Sequence, residues 1–509
     1  MLFDSYEFIF GFLPVALLMF YLLGRFNRTA AASWLAFASL VFYGYWSLKY
    51  VPLLLASVAF NYHCGRTLAK HPGSKSGRAL LACSIAANLL LLAVYKYADF
   101  FVSSVNEAAN THIPLLRMVL PIGISFFTFT QIAFLVDAFK GIAREYSFVH
   151  YLLFAAYFPH LIAGPILHHK EIMPQFASAA PYRPAARSFA IGLTVFAIGL
   201  AKKVLIADNF ADYASPVFAA AHDGVPIRLV AAWVGTISFT FQLYFDFSGY
   251  SDMAIGVSKL FGIDLPINFF SPYKATNIIE FWRRWHMTLA RFLRDYVYIP
   301  LGGNRKGQLR RYANLMITML LGGLWHGASW TFVIWGGLHG IYLLINHGWR
   351  SVRAPRRQPA LPARFAAGIV TFIAVAVGWD FFRAEDLKTA IDVLRGMSGF
   401  NGISVQNQSG ELWSALGRLL PQLTIAPGAA LQNIATPGLG EIAALLALAA
   451  VLVWTMPNTQ QITEKIASMF GCSHVPVFYR RAVPALSGLL LALAVLQMQR
   501  ASPFLYFQF

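Results

Sequence analysis

Charge is scarce in this sequence: of 509 residues only 12% are Asp, Glu, Lys or Arg, about half the share in an ordinary soluble domain. That scarcity excludes a water-soluble globule. Cysteine is nearly missing, and Cys64, Cys83 and Cys472 lie in or near hydrophobic segments without metal-ligand spacing. A disulfide framework and a zinc site are therefore not expected, and the three thiols read as inert packing residues. Sustained alternation of apolar and polar residues occurs nowhere, which argues against a β-barrel. No phosphate-binding glycine loop and no G-x-S-x-G elbow is present. The N-terminal stretch MLFDSYEFIFGFLPVALLMF carries Asp4 and Glu7 where a signal peptide is positive, so it reads as a retained first helix.

What the chain has in abundance is apolar length. Hydrophobic residues make up 58%, and runs of about 18 or more recur from end to end, each able to cross a hydrocarbon core of about 30 Å. Candidate spans fall at 7–24, 31–48, 50–64, 79–102, 118–139, 189–209, 229–249, 365–383, 439–456 and 482–499. The formal charge of +18 comes from Lys and Arg in short loops, with no basic stripe of interleaved aromatics, so membrane topology accounts for it and nucleic acid is not an expected partner. Arg25 and Arg28, then Arg66, Lys70, Lys75 and Arg78, then Lys140 and Arg144 all share one side if the N-terminus faces out of the cytoplasm. Residues 384–438, poor in Lys and Arg, then form an exported loop with a short amphipathic helix near 410–420.

Three intervals break the simple pattern. Residues 313–347 are flanked by basic stretches on both sides, and as one helix they would measure roughly 50 Å, too long for the bilayer. A hairpin is expected, bent among Gly322, Gly323, Gly327, Gly336 and Gly337, with His326 of LLGGLWHGASW deep in the membrane. Residues 158–170 and 244–273 are apolar but interrupted by Pro, Gly and charge. Both are expected to be re-entrant or interfacial segments lining a cavity, because irregular backbone at membrane depth must be satisfied by protein or water.

The candidate chemistry lies near these intervals. On a helix spanning 278–307, Trp282, His286, Leu289 and Leu293 form one stripe, with Glu280, Arg284, Arg291 and Asp295 on another. From this spacing alone, His286 is either a hydrogen-bonded packing residue or a functional one. For His326 the functional reading is the stronger, since ionisable side chains at membrane depth are costly and mark functional paths. Hydrocarbon burial disfavours the imidazolium, and the neutral ring is the form a general base needs. Asp246 and Asp252 are acids in an apolar setting, either paired in a structural network or active in proton transfer. His160, His168 and His169 lack the partners of a metal site, and His339, thirteen residues after His326, reads as packing.

Several stretches together resemble the membrane-bound O-acyltransferase (MBOAT) family. They are LPIGISFF (120–127), FPHLIAGPI (158–166), LYFDFSGYSDMAIG (243–256), FWRRWHMTL followed by LRDYVYIPLGGNRKG, MLLGGLWHGASWTFVIWGGLHG (319–340), GWDFFRAE (378–385) and the terminal SPFLYFQF. The set occurs in order along nearly the whole chain and is most similar to the bacterial branch that includes the membrane subunit of alginate O-acetyltransferase. Asp380 departs from the hydrophobic residue expected at its position.

The resemblance implies a single domain over 1–509, an all-α integral membrane protein with about 11–12 transmembrane helices and re-entrant segments around a central cavity. It also implies an acyltransferase of the bacterial inner membrane with a periplasmic N-terminus. His326 maps on the family's catalytic histidine and His286 on a second one. Acetyl-CoA is the expected donor, with no tightly bound cofactor and no metal. A periplasmic acetyltransferase partner and an exported polysaccharide such as alginate or cellulose are the expected recipients. On this reading His326 is the general base and His286 orients substrate or polarises the thioester carbonyl. Trp325, Trp330 or the neighbouring glycine amides hold the oxyanion, Arg283, Arg284 and Lys306 attract the donor's phosphates, and Asp246 and Asp252 contact substrate. Two alternatives stay open at this point: a D-alanyl transferase fed by a carrier-protein thioester, and a non-enzymatic polysaccharide or lipid transporter.

Overall fold

The computed structural model describes residues 1–143, 147–352, 360–403, 439–470, 477–498 and 505, and among them the chain is built of helices with no strand. Helices α1 (Leu13–Gly24), α2 (Arg28–Trp46), α3 (Val51–Lys70), α4 (Lys75–Leu92) and α5 (Ala98–Ala109) come first. A wide π-helical turn, Glu7–Phe12, precedes α1, and another, Ala93–Tyr97, joins α4 to α5. The expected span at 118–139 is shortened to α6 (Ile124–Phe139). Pro121 lacks an amide proton and Gly123 adopts φ +72°, a left-handed start that fixes where the helix can begin.

The stretch at 158–170 is irregular, as its Pro and Gly content suggests. After α7 (Phe148–Ala156) comes a single helical turn, α8 (Phe158–Leu161), then extended chain leading to α9 (His169–Ala177). This non-helical backbone is buried throughout, so protein surrounds it, as its depth requires.

The re-entrant reading of 244–273 is corrected. α10 (Ala186–Ala201) and α11 (Asp208–His222) are joined by a π-helical turn at Lys202–Ala207, and α12 (Leu229–Leu260) runs unbroken through the segment. The glycines that looked like breakers are contact points. A Cβ on Gly249 would stand 2.7 Å from the Gly199 carbonyl oxygen, and one on Gly256 would stand 2.7 Å from that of Gly192, so α10 and α12 approach backbone to backbone. Every residue of α12 from Ser238 to Ala254 is buried, which is why its serines, threonines and aspartates are tolerated: they face protein. Only beyond Leu260 does the chain become irregular, through to α13 (Ile278–Trp282) and α14 (Met287–Leu293).

The hairpin expected at 313–347 is present with longer legs, α15 (Gly307–His326) and α16 (Trp330–Val352). Its legs touch at Gly323 and Gly336, where an added Cβ would come within 2.2 Å of the Phe332 carbonyl oxygen and 2.3 Å of the Met319 carbonyl oxygen respectively. Helices α17 (Leu361–Arg383), α18 (Leu387–Met397), α19 (Leu439–Trp454), α20 (Thr459–Met469) and α21 (Val477–Gln497) complete the described chain. α18 occupies the start of the segment read as an exported loop, while the helix expected near 410–420 falls outside the described residues.

Among the described residues, four helical stretches are long and apolar enough by themselves to cross a membrane: Glu7–Gly24, Lys75–Ala109, Ala186–His222 and Leu361–Arg383. A fifth qualifies if Gly440–Trp454 and Thr459–Met469 form one bent span. Buried polar side chains lower the hydropathy of α12, most of which is enclosed by other helices.

Candidate active site

His326 is the last residue of α15, set where the hairpin turns through Gly327. It is 4% exposed and ringed by aromatic side chains, with ring centroids at 5.0 Å to Trp325, 5.1 Å to Trp335 and 5.3 Å to Phe382. The His286 ring lies 6.1 Å away at an interplanar angle of 63°. Forty residues of chain therefore close on two imidazoles within one buried pocket of rings.

The way His286 gets there corrects the helical stripe. The helix expected across 278–307 is broken: α13 stops at Trp282 and α14 starts at Met287. Between them His286 takes φ +42°, a left-handed conformation that a non-glycine residue holds only when its surroundings impose it. Those surroundings are Asn268. Its carbonyl oxygen accepts from Met287 N at 2.9 Å, and its Oδ1 accepts from Thr288 Oγ1 at 2.9 Å and from the Thr288 amide at 3.3 Å. The same Oδ1 lies 3.1 Å from His286 Nδ1. Since that oxygen can only accept, Nδ1 carries the ring proton and Nε2 is left as a lone-pair acceptor. Among the described residues the buried His286 Nε2 has no hydrogen-bond partner. A neutral ring in this tautomer has its one proton engaged at Asn268 and a lone pair free to accept at Nε2.

The tryptophans divide. Trp325 is 2% exposed, stacked on Phe129 at 5.2 Å and edge-on to Phe126 at 5.3 Å, and it lines the surroundings of His326. Trp330 is 51% exposed and its indole N–H donates to Ser104 Oγ at 3.2 Å. At the first position of α16 it points outward, so it is not an oxyanion donor; Trp335, one and a half turns on, is the second wall. His339 packs among the same rings: its own ring lies 5.0 Å from Trp335, one turn earlier on α16, and 5.4 Å from Trp282, and neither buried ring nitrogen has a hydrogen-bond partner among the described residues.

Charged candidates fare differently. Arg283 is exposed, while Arg284 pairs with Glu280 at 2.7 Å. Arg291 holds Glu171 of α9 through two bonds of 2.5 and 2.8 Å, and Asp295 takes Arg294. Arg305, Lys306 and Arg310 are exposed at the start of α15. Asp246 and Asp252 are held in ion pairs, one of the two readings their apolar setting offered. Lys203 reaches Asp246 at 2.9 Å and Lys202 reaches Asp252 at 2.6 Å from the π-helical turn, with Thr459 Oγ1 donating to Asp252 and the Leu505 amide to Asp246. Such paired buried charges tie helices together and leave little capacity for a ligand. Asp380 is fully buried and accepts from Thr236 Oγ1 at 2.8 Å.

Among the described residues no group of His, Cys, Asp or Glu could hold a metal ion. His160 instead bonds the Phe154 carbonyl at 3.0 Å, and His168 meets Tyr296 at 3.2 Å. Two contributors were missed in the sequence, Asn268 and Lys96. Nothing distinguishes Asn268 from any loop asparagine. Lys96, a lone charge inside the span 79–102, carried a readable signal.

The fold and the pocket define a polytopic helical membrane protein with a buried imidazole pair, a class of centre suited to base-assisted transfer. The family is specific: the sequence profile of MBOAT, the membrane-bound O-acyltransferase family, matches residues 124–379, and the chain belongs to that family. It is 43% identical to the peptidoglycan O-acetyltransferase of Helicobacter pylori (strain ATCC 700392 / 26695) over 82% of this chain and 84% of that one. Likewise, it is 41% identical to a Pseudomonas aeruginosa protein named "Probable alginate O-acetylase AlgI" over 79% of this chain and 75% of that one. A teichoic acid D-alanyltransferase of Streptococcus thermophilus is more distant, 31% identical over 47% of this chain and 61% of its own length. The protein is a membrane-bound O-acyltransferase.

Proposed function

We propose that the protein takes an acetyl group from cytoplasmic acetyl-CoA and passes it across the bacterial inner membrane for O-acetylation of an exported polysaccharide. Its N-terminus lies on the periplasmic side, and a periplasmic acetyltransferase completes the transfer. The reading is supported above all by one observation, the meeting of His286 and His326 in a buried aromatic pocket at the bend of the hairpin. The relatives' names favour acetyl over D-alanyl as the group carried and a glycan as its recipient.

Chemically, His326 removes the proton from an acceptor hydroxyl as its oxygen attacks the thioester carbonyl carbon. The carbon–sulfur bond then breaks, and the imidazolium returns the proton to the departing thiolate, giving an ester and a free thiol. A positioned base of this kind contributes typically about 10² to 10⁴ in rate. His286, a lone-pair acceptor at Nε2, orients the hydroxyl or the neighbouring imidazole. The exposed Arg305, Lys306 and Arg310 draw the donor's phosphates toward the start of α15.

The test is the ester content of envelope polysaccharides from a deletion strain complemented with wild type or His326→Ala. His326→Ala inserts at normal level and abolishes O-acetylation; normal ester content at normal protein level contradicts the proposal.

A further inference from the structure

We infer that Lys96, with Tyr97 beside it, is a positioning residue that fixes the backbone of the catalytic histidine; this rests on the reading of His326 as general base. The last four carbonyls of any α-helix have no amide within the helix to bond, and at membrane depth no bulk water replaces it. In α15 these are the carbonyls of Gly323 to His326, and the next residue, Gly327, has extended backbone (φ −154°, ψ 151°).

Three of the four are met by two consecutive residues from another helix. Lys96 Nζ donates to the Trp325 carbonyl at 2.6 Å and to the His326 carbonyl at 3.0 Å, and Tyr97 Oη donates to the Leu324 carbonyl at 2.9 Å. A third contact of the ammonium, Ser125 Oγ at 3.5 Å, ties it to the first turn of α6. Both residues lie in the π-helical turn Ala93–Tyr97, a widening of the helix that is often kept where side chains must be re-aimed. An ammonium at a helix C-terminus also meets the negative end of the helix dipole.

Because the histidine's own carbonyl is one of the lysine's two carbonyl acceptors, the cap acts on the residue that does the chemistry, not merely on the helix. Substrate contact is not required of Lys96. Losing it frees the end of α15 to fray at the hairpin bend, so the ring moves relative to His286 while the binding surfaces for the donor remain.

The test uses membranes from the native host containing the full chain, quantified for protein, with thiol release measured against acetyl-CoA concentration. The variants are Lys96→Met, Lys96→Arg, Tyr97→Phe and His326→Ala. Lys96→Met lowers kcat on the order of 10²-fold, the cost of misplacing a catalytic group by about 1 Å, with KM for acetyl-CoA changed by less than about twofold. Lys96→Arg, which keeps a cationic donor, recovers at least about tenfold of the loss, and Tyr97→Phe, which frees a single carbonyl, loses less than Lys96→Met. A Lys96→Met protein with wild-type kcat overturns the inference, and so does a parallel loss of kcat and KM with no recovery in Lys96→Arg. Retained turnover in His326→Ala overturns the general-base reading instead, and the inference falls with it.

Discussion

Replacing Gly323 by alanine inserts one methyl group at the closest approach of the hairpin's two legs. That Cβ would stand 2.2 Å from the Phe332 carbonyl oxygen and 3.1 Å from Gly336 Cα. Ordinary contact begins near 3.4 Å, so α15 and α16 must part by 3.4 − 2.2, about 1 Å, at this level. Both obstacles are backbone, and no rotamer change relieves them. Overpacking of this kind typically costs about 1–3 kcal/mol. His326 is three residues further on, so its ring shifts against His286, and a misplacement of about 1 Å lowers the rate on the order of 10²-fold. The comparison is Gly337→Ala, in the glycine pair of the other leg, whose Cβ would meet only Leu320 Cδ2 at 3.4 Å. Polysaccharide ester content per amount of inserted protein, together with thermal unfolding in detergent, reads both effects. Gly323→Ala is nearly inactive and less stable, while Gly337→Ala matches wild type. Equal behaviour of the two variants refutes the argument from backbone contact.

Two further outcomes follow from the pocket. Asn268→Leu removes the acceptor that His286 Nδ1 and the Thr288 hydroxyl share, leaving buried donors unpaired at about 1–3 kcal/mol each; it loses activity, whereas Asn268→Asp, which keeps an acceptor, retains more, as ester assays on matched protein levels will register. Trp330→Ala keeps activity within about twofold of wild type because the indole faces outward, while Trp335→Ala, which opens the wall beside His326, loses most of it; equal losses would contradict the placement of Trp330.

Much of this fold was legible because hydrophobic length and glycine placement act locally. The hairpin at 313–347 followed from basic flanks on both sides and a length the bilayer cannot take, and it is there as α15 and α16. The same local logic failed at 244–273, where glycine was read as a breaker. Whether Gly249 bends a helix or admits a neighbour depends on Gly199 of α10, and no local pattern reports that contact. His326 was identifiable from its depth and motif, but the left-handed backbone of His286 was not. Periodicity assumes a continuous helix, and the break is imposed by Asn268, 18 residues upstream. Trp330 was misassigned because counting residues along a helix says nothing across a turn: beyond the turn at 327–329 its indole faces outward, onto Ser104.

Asp246 of α12 receives its second partner, the Leu505 amide, from 259 residues downstream. During synthesis Lys203 is already at hand, but the other carboxylate oxygen must wait for just over half of the chain to emerge and insert. Assembly of the central helix is therefore closed by late-made sequence, and a reporter fused so as to pull Leu505 away would strike the middle of the bundle, not its edge.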